Sequence, residues 1–171
     1  MKTLLRTGLI ALALLAAGCS KEETASAPPP QAIAGDSTGY YCGMLLGEHA
    51  GPKGQILLVS GKAPVWFSSV RDTFTFLRLP EEPKDIAGIY VSDMAKAPSW
   101  EQPGADNWIA AADALFVVGS DREGGMGGAE AVPFGSRQAA DAFVKDHGGQ
   151  VVSFEAAKAA LTNAVAETPL E

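Results

Sequence analysis

Gln55-Ile56-Leu57-Leu58-Val59, closed by Ser60-Gly61 and followed by Ala63-Pro64-Val65-Trp66-Phe67-Ser68-Ser69, is the stretch from which the fold can be read. The short apolar run bounded by turn residues predicts a buried strand. Val65-Trp66-Phe67 then completes a hairpin after a tight turn. Ser69 heads a helix, with Asp72 three residues on as a partner in an imperfect capping box. Phe74, Leu77 and Arg78 carry that helix to Pro80, and Ile86 to Ser92 is the next strand.

The same order recurs downstream. Ala114-Leu115-Phe116-Val117-Val118 predicts a strand of the buried type. Ala131-Val132-Pro133-Phe134 predicts one at a sheet edge, because proline cannot donate to the ladder. Ser136 caps a helix whose Ala139, Ala140, Phe143, Val144 and His147 share a face, and Gly148-Gly149 ends it. Gln150 to Phe154 is a strand and Glu155 to Thr162 a short terminal helix. Phe67-Ser68-Ser69 and Phe134-Gly135-Ser136 occupy matching places, and Phe76 and Phe143 each lie nine residues after the first Phe. The pattern favours an α+β fold of two ββαβ half-domains, about 39–93 and 108–160 within a domain spanning 39–165. A single mixed sheet with helices on one face is the alternative. Ala95 to Asn107 is a polar loop carrying Trp100 and Pro103.

Upstream of that domain the composition changes. Lys2 and Arg6 precede an apolar run from Leu9 to Ala17, too short to span a bilayer and typical of a signal peptide. Leu15-Ala16-Ala17-Gly18-Cys19-Ser20 resembles the bacterial lipobox, which implies removal of residues 1–18 and lipidation of Cys19. An ordinary secretory signal with a fortuitous cysteine is the plainer reading. Acyl chains at ~0.8 kcal/mol per buried CH₂ hold a protein stably on a membrane. Ser20, in place of Asp, points to the outer membrane. Residues 19–38, with Pro28-Pro29-Pro30, form a disordered, semi-rigid, proline-rich linker.

Without residues 1–18 the chain keeps eleven Lys and Arg against twenty Asp and Glu, a net charge of −9. So acidic a protein is a poor ligand for nucleic acid. It gains nothing from an anionic lipid surface, so membrane contact rests on the anchor.

With Cys19 acylated, Cys42 has no partner for a disulfide, a liability in an oxidising compartment unless the thiol holds a ligand. Tyr40-Tyr41-Cys42-Gly43-Met44 places a thiol and a thioether two apart, on one face if the segment is extended. Gly43 lets the backbone turn tightly about an ion, and His49 lies five residues beyond Met44. Sulfur ligands of both kinds select Cu(I). Each residue also has a bland reading: Cys42 as a small buried hydrophobe, Met44 as core beside Leu45-Leu46, His49 as a surface residue. Together they favour a ligand cluster. Met126, in Gly124-Gly125-Met126-Gly127-Gly128, sits on a loop too glycine-rich to hold a core side chain. It reads either as incidental or as a thioether that swings onto a metal and off. His147 suits a helix C-terminus, where its cationic form meets the dipole.

These segments resemble the NosL family. The resemblance rests on Cys42-Gly43-Met44, on Glu48-His49-Ala50-Gly51-Pro52-Lys53-Gly54-Gln55-Ile56, and on Gly119-Ser120 followed by Met126-Gly127. Val132-Pro133-Phe134 running into Ala140, Phe143 and His147-Gly148-Gly149 completes it. It implies metal ligation by Cys42, Met44 and His49, with Met126 as a distal ligand. It implies a fold of two ββαβ half-domains, distantly similar to organomercurial lyase. It also implies a role as a Cu(I) chaperone for the copper centres of nitrous oxide reductase, in contact with the apoprotein and an ABC-type maturation transporter complex. A metal-free structural or interaction lipoprotein is the competing reading. A thiol-dependent lyase is another, but it would want a second cysteine or an acid beside Cys42. No nucleophile elbow, phosphate loop or HExxH motif is present, so no enzyme activity is expected.

Overall fold

The structure, a computed structural model, describes residues 27–166, with side chains through Leu161. The signal peptide, Cys19 and the first part of the linker lie outside them. Two antiparallel sheets form the frame. The first comprises β1 (Gly54–Leu58), β2 (Val65–Phe67), β3 (Ile86–Ser92) and β4 (Trp108–Ala110), in the order β2-β1-β3-β4. The second comprises β5 (Leu115–Val118), β6 (Val132–Phe134) and β7 (Gln150–Val152), in the order β6-β5-β7. Helix α1 (Val70–Arg78) separates β2 from β3, α2 (Arg137–His147) separates β6 from β7, and α3 (Phe154–Ala166) closes the chain.

The repeat expected from the sequence is therefore a repeat in space. In each half the first strand is central, its hairpin partner flanks one side, and the strand after the helix flanks the other. Phe67 pairs with Gly54 at the start of β1, and Phe134 pairs with Leu115 at the start of β5. Phe67 stacks edge-on against Phe76 at 5.4 Å, and Phe134 meets Phe143 at 5.2 Å. The nine-residue spacing brings each phenylalanine of a helix back over the strand that precedes it. Ser69 Oγ accepts from Asp72 N, and Ser136 Oγ accepts from Ala139 N, each satisfying an amide the first helical turn leaves free. Gly148, at φ 72°, ends α2 in a conformation that side chains avoid, with its N–H donating to Val144 O.

A shared core joins the halves. Val70 and Phe74 of α1, Val91 of β3, Phe116 and Val118 of β5, and Ala157 and Leu161 of α3 are buried together. Two carboxylates cross between them. Glu130, just before β6, accepts from Val70 N at 3.2 Å and Arg71 N at 2.9 Å, at the start of α1. Asp93, just after β3, accepts from Gly135 N at 2.7 Å, at the entry to α2. Each half thus supplies carboxyl oxygens that accept from backbone amides at the other's helix N-terminus.

Several boundaries differ from expectation. The folded part begins before Gly39. Gln55 is fully buried in β1, and its side-chain amide must find partners. It pairs both ways with the backbone of Gln31, at 2.9 Å each. Tyr90 Oη donates to Pro28 O and Ile33 N to Ala105 O, so residues 28–33 of the expected linker are bound to the domain. Trp108 to Ala110 pairs with β3 and belongs to the first sheet, so the second half-domain begins after it. Val59 lies outside β1 and is exposed, and six residues, rather than a tight turn, separate β1 from β2. Phe154 opens α3 instead of closing β7, because Ser153 Oγ is positioned to accept from Ala156 N and its O accepts from Ala157 N. Among the described residues no helix is long and apolar enough to cross a membrane.

Candidate metal centre

Cys42 lies on a reversal of the chain, not on an extended segment. Thr38 bridges Leu45, Gly39 N donates to Met44 O at 2.9 Å, and Gly43 N donates to Gly39 O at 2.8 Å. Gly43 takes φ 67° to make this turn, so glycine is needed there for its backbone. The reversal is anchored on β2, where Tyr40 N donates to Trp66 O and the Tyr40 ring meets Phe67 and Phe76 edge-on. Both Tyr40 and Tyr41 hydroxyls donate to Glu82.

Three groups surround the half-buried thiol. Gly39 O and His49 Nε2 each stand 4.0 Å from Cys42 Sγ, and Ser68 Oγ stands 3.7 Å away. His49 is 7% exposed and follows a single 3-10 turn at Leu46–Glu48. Its Nδ1 lies 2.8 Å from Gly125 O. A carbonyl only accepts, so the neutral ring carries its proton on Nδ1 and turns the lone pair of Nε2 towards the sulfur. A backbone carbonyl holding the far nitrogen is how metal-binding histidines are commonly oriented. The 4.0 Å gap is wide for a hydrogen bond. It is close to the sum of ~2.3 Å and ~2.0 Å metal–sulfur and metal–nitrogen bonds.

Gly124-Gly125-Met126-Gly127-Gly128 is a closed turn, with Gly127 N donating to Gly124 O and Gly124 N to Gly128 O. The Glu123–Ala129 bridge clamps its base. It docks on the site: a side-chain carbon at Gly125 would stand 2.8 Å from His49 Cβ and 2.7 Å from Ser68 O. Met126 follows the carbonyl that His49 binds and is 46% exposed, while Met44 is 42% exposed. Among the described residues no trio of His, Cys, Asp and Glu side chains converges. The candidate centre is thus a thiol and an imidazole 4.0 Å apart, with Met44 on the loop that carries Cys42 and Met126 on the turn that carries Gly125. That donor set suits a soft ion and offers no closed tetrahedron of hard or borderline ligands.

The family model for NosL matches residues 30–162. This chain belongs to the NosL family. Copper-binding lipoprotein NosL of Achromobacter cycloclastes is 49% identical over 172 residues, covering 100% of this chain and 87% of that protein. Copper-binding lipoprotein NosL of Stutzerimonas stutzeri is 34% identical over 147 residues, covering 85% of this chain and 75% of its own. The crystal structure of the copper chaperone NosL from Shewanella denitrificans superposes with a TM-score of 0.69 at 37% identity, covering 75% of this chain and 96% of that one. The two-sheet NosL fold and the family resemblance of the sequence therefore agree.

Within this NosL fold, sequence reasoning missed the groups behind the candidate ligands. Ser68 precedes the helix cap, and Gly125 looked like a spacer in a loose loop. Lys53 is 2% exposed; its Nζ donates to Ala50 O at 3.0 Å and Gly51 O at 2.6 Å, which ties down the segment leaving His49. Burial pushes its ammonium down to about 8, against the opposing pull of Glu130. Burial pushes the Glu130 carboxyl up to about 7, outweighing its three backbone N–H donors and Arg71. Beside His49 and Lys53 opens a cavity of about 270 Å³, walled opposite by Glu101 to Ala105. His147, read as structural, packs on Phe143 and binds Asp121 Oδ1 at 3.0 Å, away from the thiol.

Proposed function

We propose that this protein is a lipid-anchored, periplasm-facing copper chaperone. It binds one Cu(I) through Cys42, Met44, His49 and Met126 and surrenders it for assembly of the copper centres of nitrous oxide reductase. The observation that carries the reading is the Cys42 thiol facing Nε2 of a buried His49 at 4.0 Å, with the far nitrogen Nδ1 held 2.8 Å from Gly125 O. A thiolate, an imidazole and two thioethers form a set that favours Cu(I) over harder ions. Half-exposure of both methionines suits a carrier, which must pass its ion on by ligand exchange. The names of the two relatives, copper-binding lipoproteins, and of the matched copper chaperone support the same cargo.

The anchor is Cys19, and Ser20 favours the outer membrane. The recipients are the reductase apoprotein and its ABC-type maturation transporter complex, and nucleic acid is not a partner. The reading is of a carrier rather than an enzyme, and the names of its relatives, copper-binding lipoproteins and a copper chaperone, support it.

Anaerobic Cu(I) titration of the detergent-solubilised protein against a competing chelator tests this. Wild type is expected to take one tight Cu(I), and Cys42→Ser to lose nearly all of it. Displacement of Cu(I) by an equal concentration of zinc would refute the soft-site reading.

A further inference from the structure

We propose that Gly125 is a positioning residue, and that the turn it belongs to assembles and withdraws His49 and Met126 together. This rests on the ligand set above. The Gly125 carbonyl fixes the His49 tautomer across 76 residues of sequence. The same turn presents Met126 at its next position, closed by the Gly127–Gly124 hydrogen bond at 2.8 Å. The seat is backbone against backbone. A side chain at Gly125 would meet Ser68 O at 2.7 Å, His49 Cβ at 2.8 Å and Ala50 O at 3.2 Å, none of them the flexible end of a side chain.

The consequence is a coupled pair of ligands. With the turn seated, His49 offers Nε2 to the ion and Met126 stands beside it. With the turn lifted, His49 loses the acceptor that holds its proton on Nδ1, and Met126 leaves in the same motion. The site then falls to Cys42 and Met44, which the Gly39–Met44 reversal holds independently. The four-ligand and two-ligand states of the site would thus differ by one small loop displacement rather than by two separate dissociations.

The test uses full-length apoprotein, so it does not depend on copper. Nitrogen NMR of labelled histidine near pH 8 reads the tautomer, with His147→Gln assigning the two rings. In wild type the His49 proton is expected on Nδ1. In Gly125→Ala it moves to Nε2, and Cu(I) affinity falls tenfold to a hundredfold, the usual range for loss of an outer-shell partner. Met126→Ala weakens copper binding yet leaves the tautomer unchanged, which separates ligation from positioning. His49→Ala speeds amide exchange at Gly124 and Gly127 by about fivefold, as loss of one hydrogen bond predicts. A wild-type His49 protonated on Nε2, or unaltered exchange in His49→Ala, would overturn the proposal. Should Gly125→Ala fail to fold, those two measurements still decide it. Should copper not bind, the function above fails while the tautomer and the exchange rates still report on the turn.

Discussion

Glu130→Gln is expected to change the pH dependence of stability, with a sign fixed by the structure. Glu130 is 1% exposed, and Oε1 accepts from Arg71 N and its own Ala131 N while Oε2 accepts from Val70 N. Burial raises its carboxyl from 4.5 to about 7. The folded chain therefore keeps a proton across that window that the unfolded chain has released. Stability from this group is fully present below pH 4.5 and is lost as pH rises through about 7. At ~1.4 kcal/mol per tenfold change in proton affinity, the loss is at most about 3.5 kcal/mol. Lys53 works in the opposite sense. Its ammonium is lowered from 10.5 to about 8, so folding recovers stability as pH climbs between those values. Wild type should thus show a shallow minimum of stability between about 7 and 8 from this pair. Glutamine keeps the shape, and its one NH₂ faces an N–H much as a neutral carboxyl's proton does. The variant should match wild type within ~1 kcal/mol at pH 4.5 and exceed it by up to about 3.5 kcal/mol at pH 8. Urea unfolding followed by tryptophan fluorescence across that range gives both curves. A difference between wild type and variant that does not change with pH would refute the reasoning, because it would mean that Glu130 is as well solvated folded as unfolded.

Three other outcomes follow from the same architecture. Ser69→Ala should cost ~1 kcal/mol in urea unfolding, since it strands the Asp72 N–H at the start of α1. Gly54→Ala should cost ~1–3 kcal/mol by the same assay, because the added methyl falls on the Thr73 side chain inside the first half-domain. Cys19→Ser should move the protein from the membrane to the soluble fraction of cells while leaving Cu(I) uptake unchanged; persistence in the membrane fraction would point to an uncleaved signal or a protein tether.

What the sequence by itself determined is what short-range rules encode. Apolar runs, the serines at 69 and 136 and the glycines at 148 and 149 act over three or four residues. They specify both ββαβ units and both capped helices without any long-range contact. The nine-residue Phe spacing belongs to the same class, since it measures one strand end against one helix face. Cys42 and Met44 stand out as candidate ligands because they share one short loop, and His49 because it follows within seven residues. Only tertiary structure decided the rest. Whether Trp108 to Ala110 pairs with β3 depends on an open sheet edge that local propensity does not describe. That residues 28–33 join the domain depends on the buried amide of Gln55 needing partners. The extended segment expected at Cys42 is a reversal because Gly39 and Met44 bond across it. The loop around Met126, loose in composition, is seated because a glycine leaves room for His49 and Ser68 to touch its backbone. A contact between residues 49 and 125 exists only once both sheets have formed around a common core, so no local window of sequence could contain it.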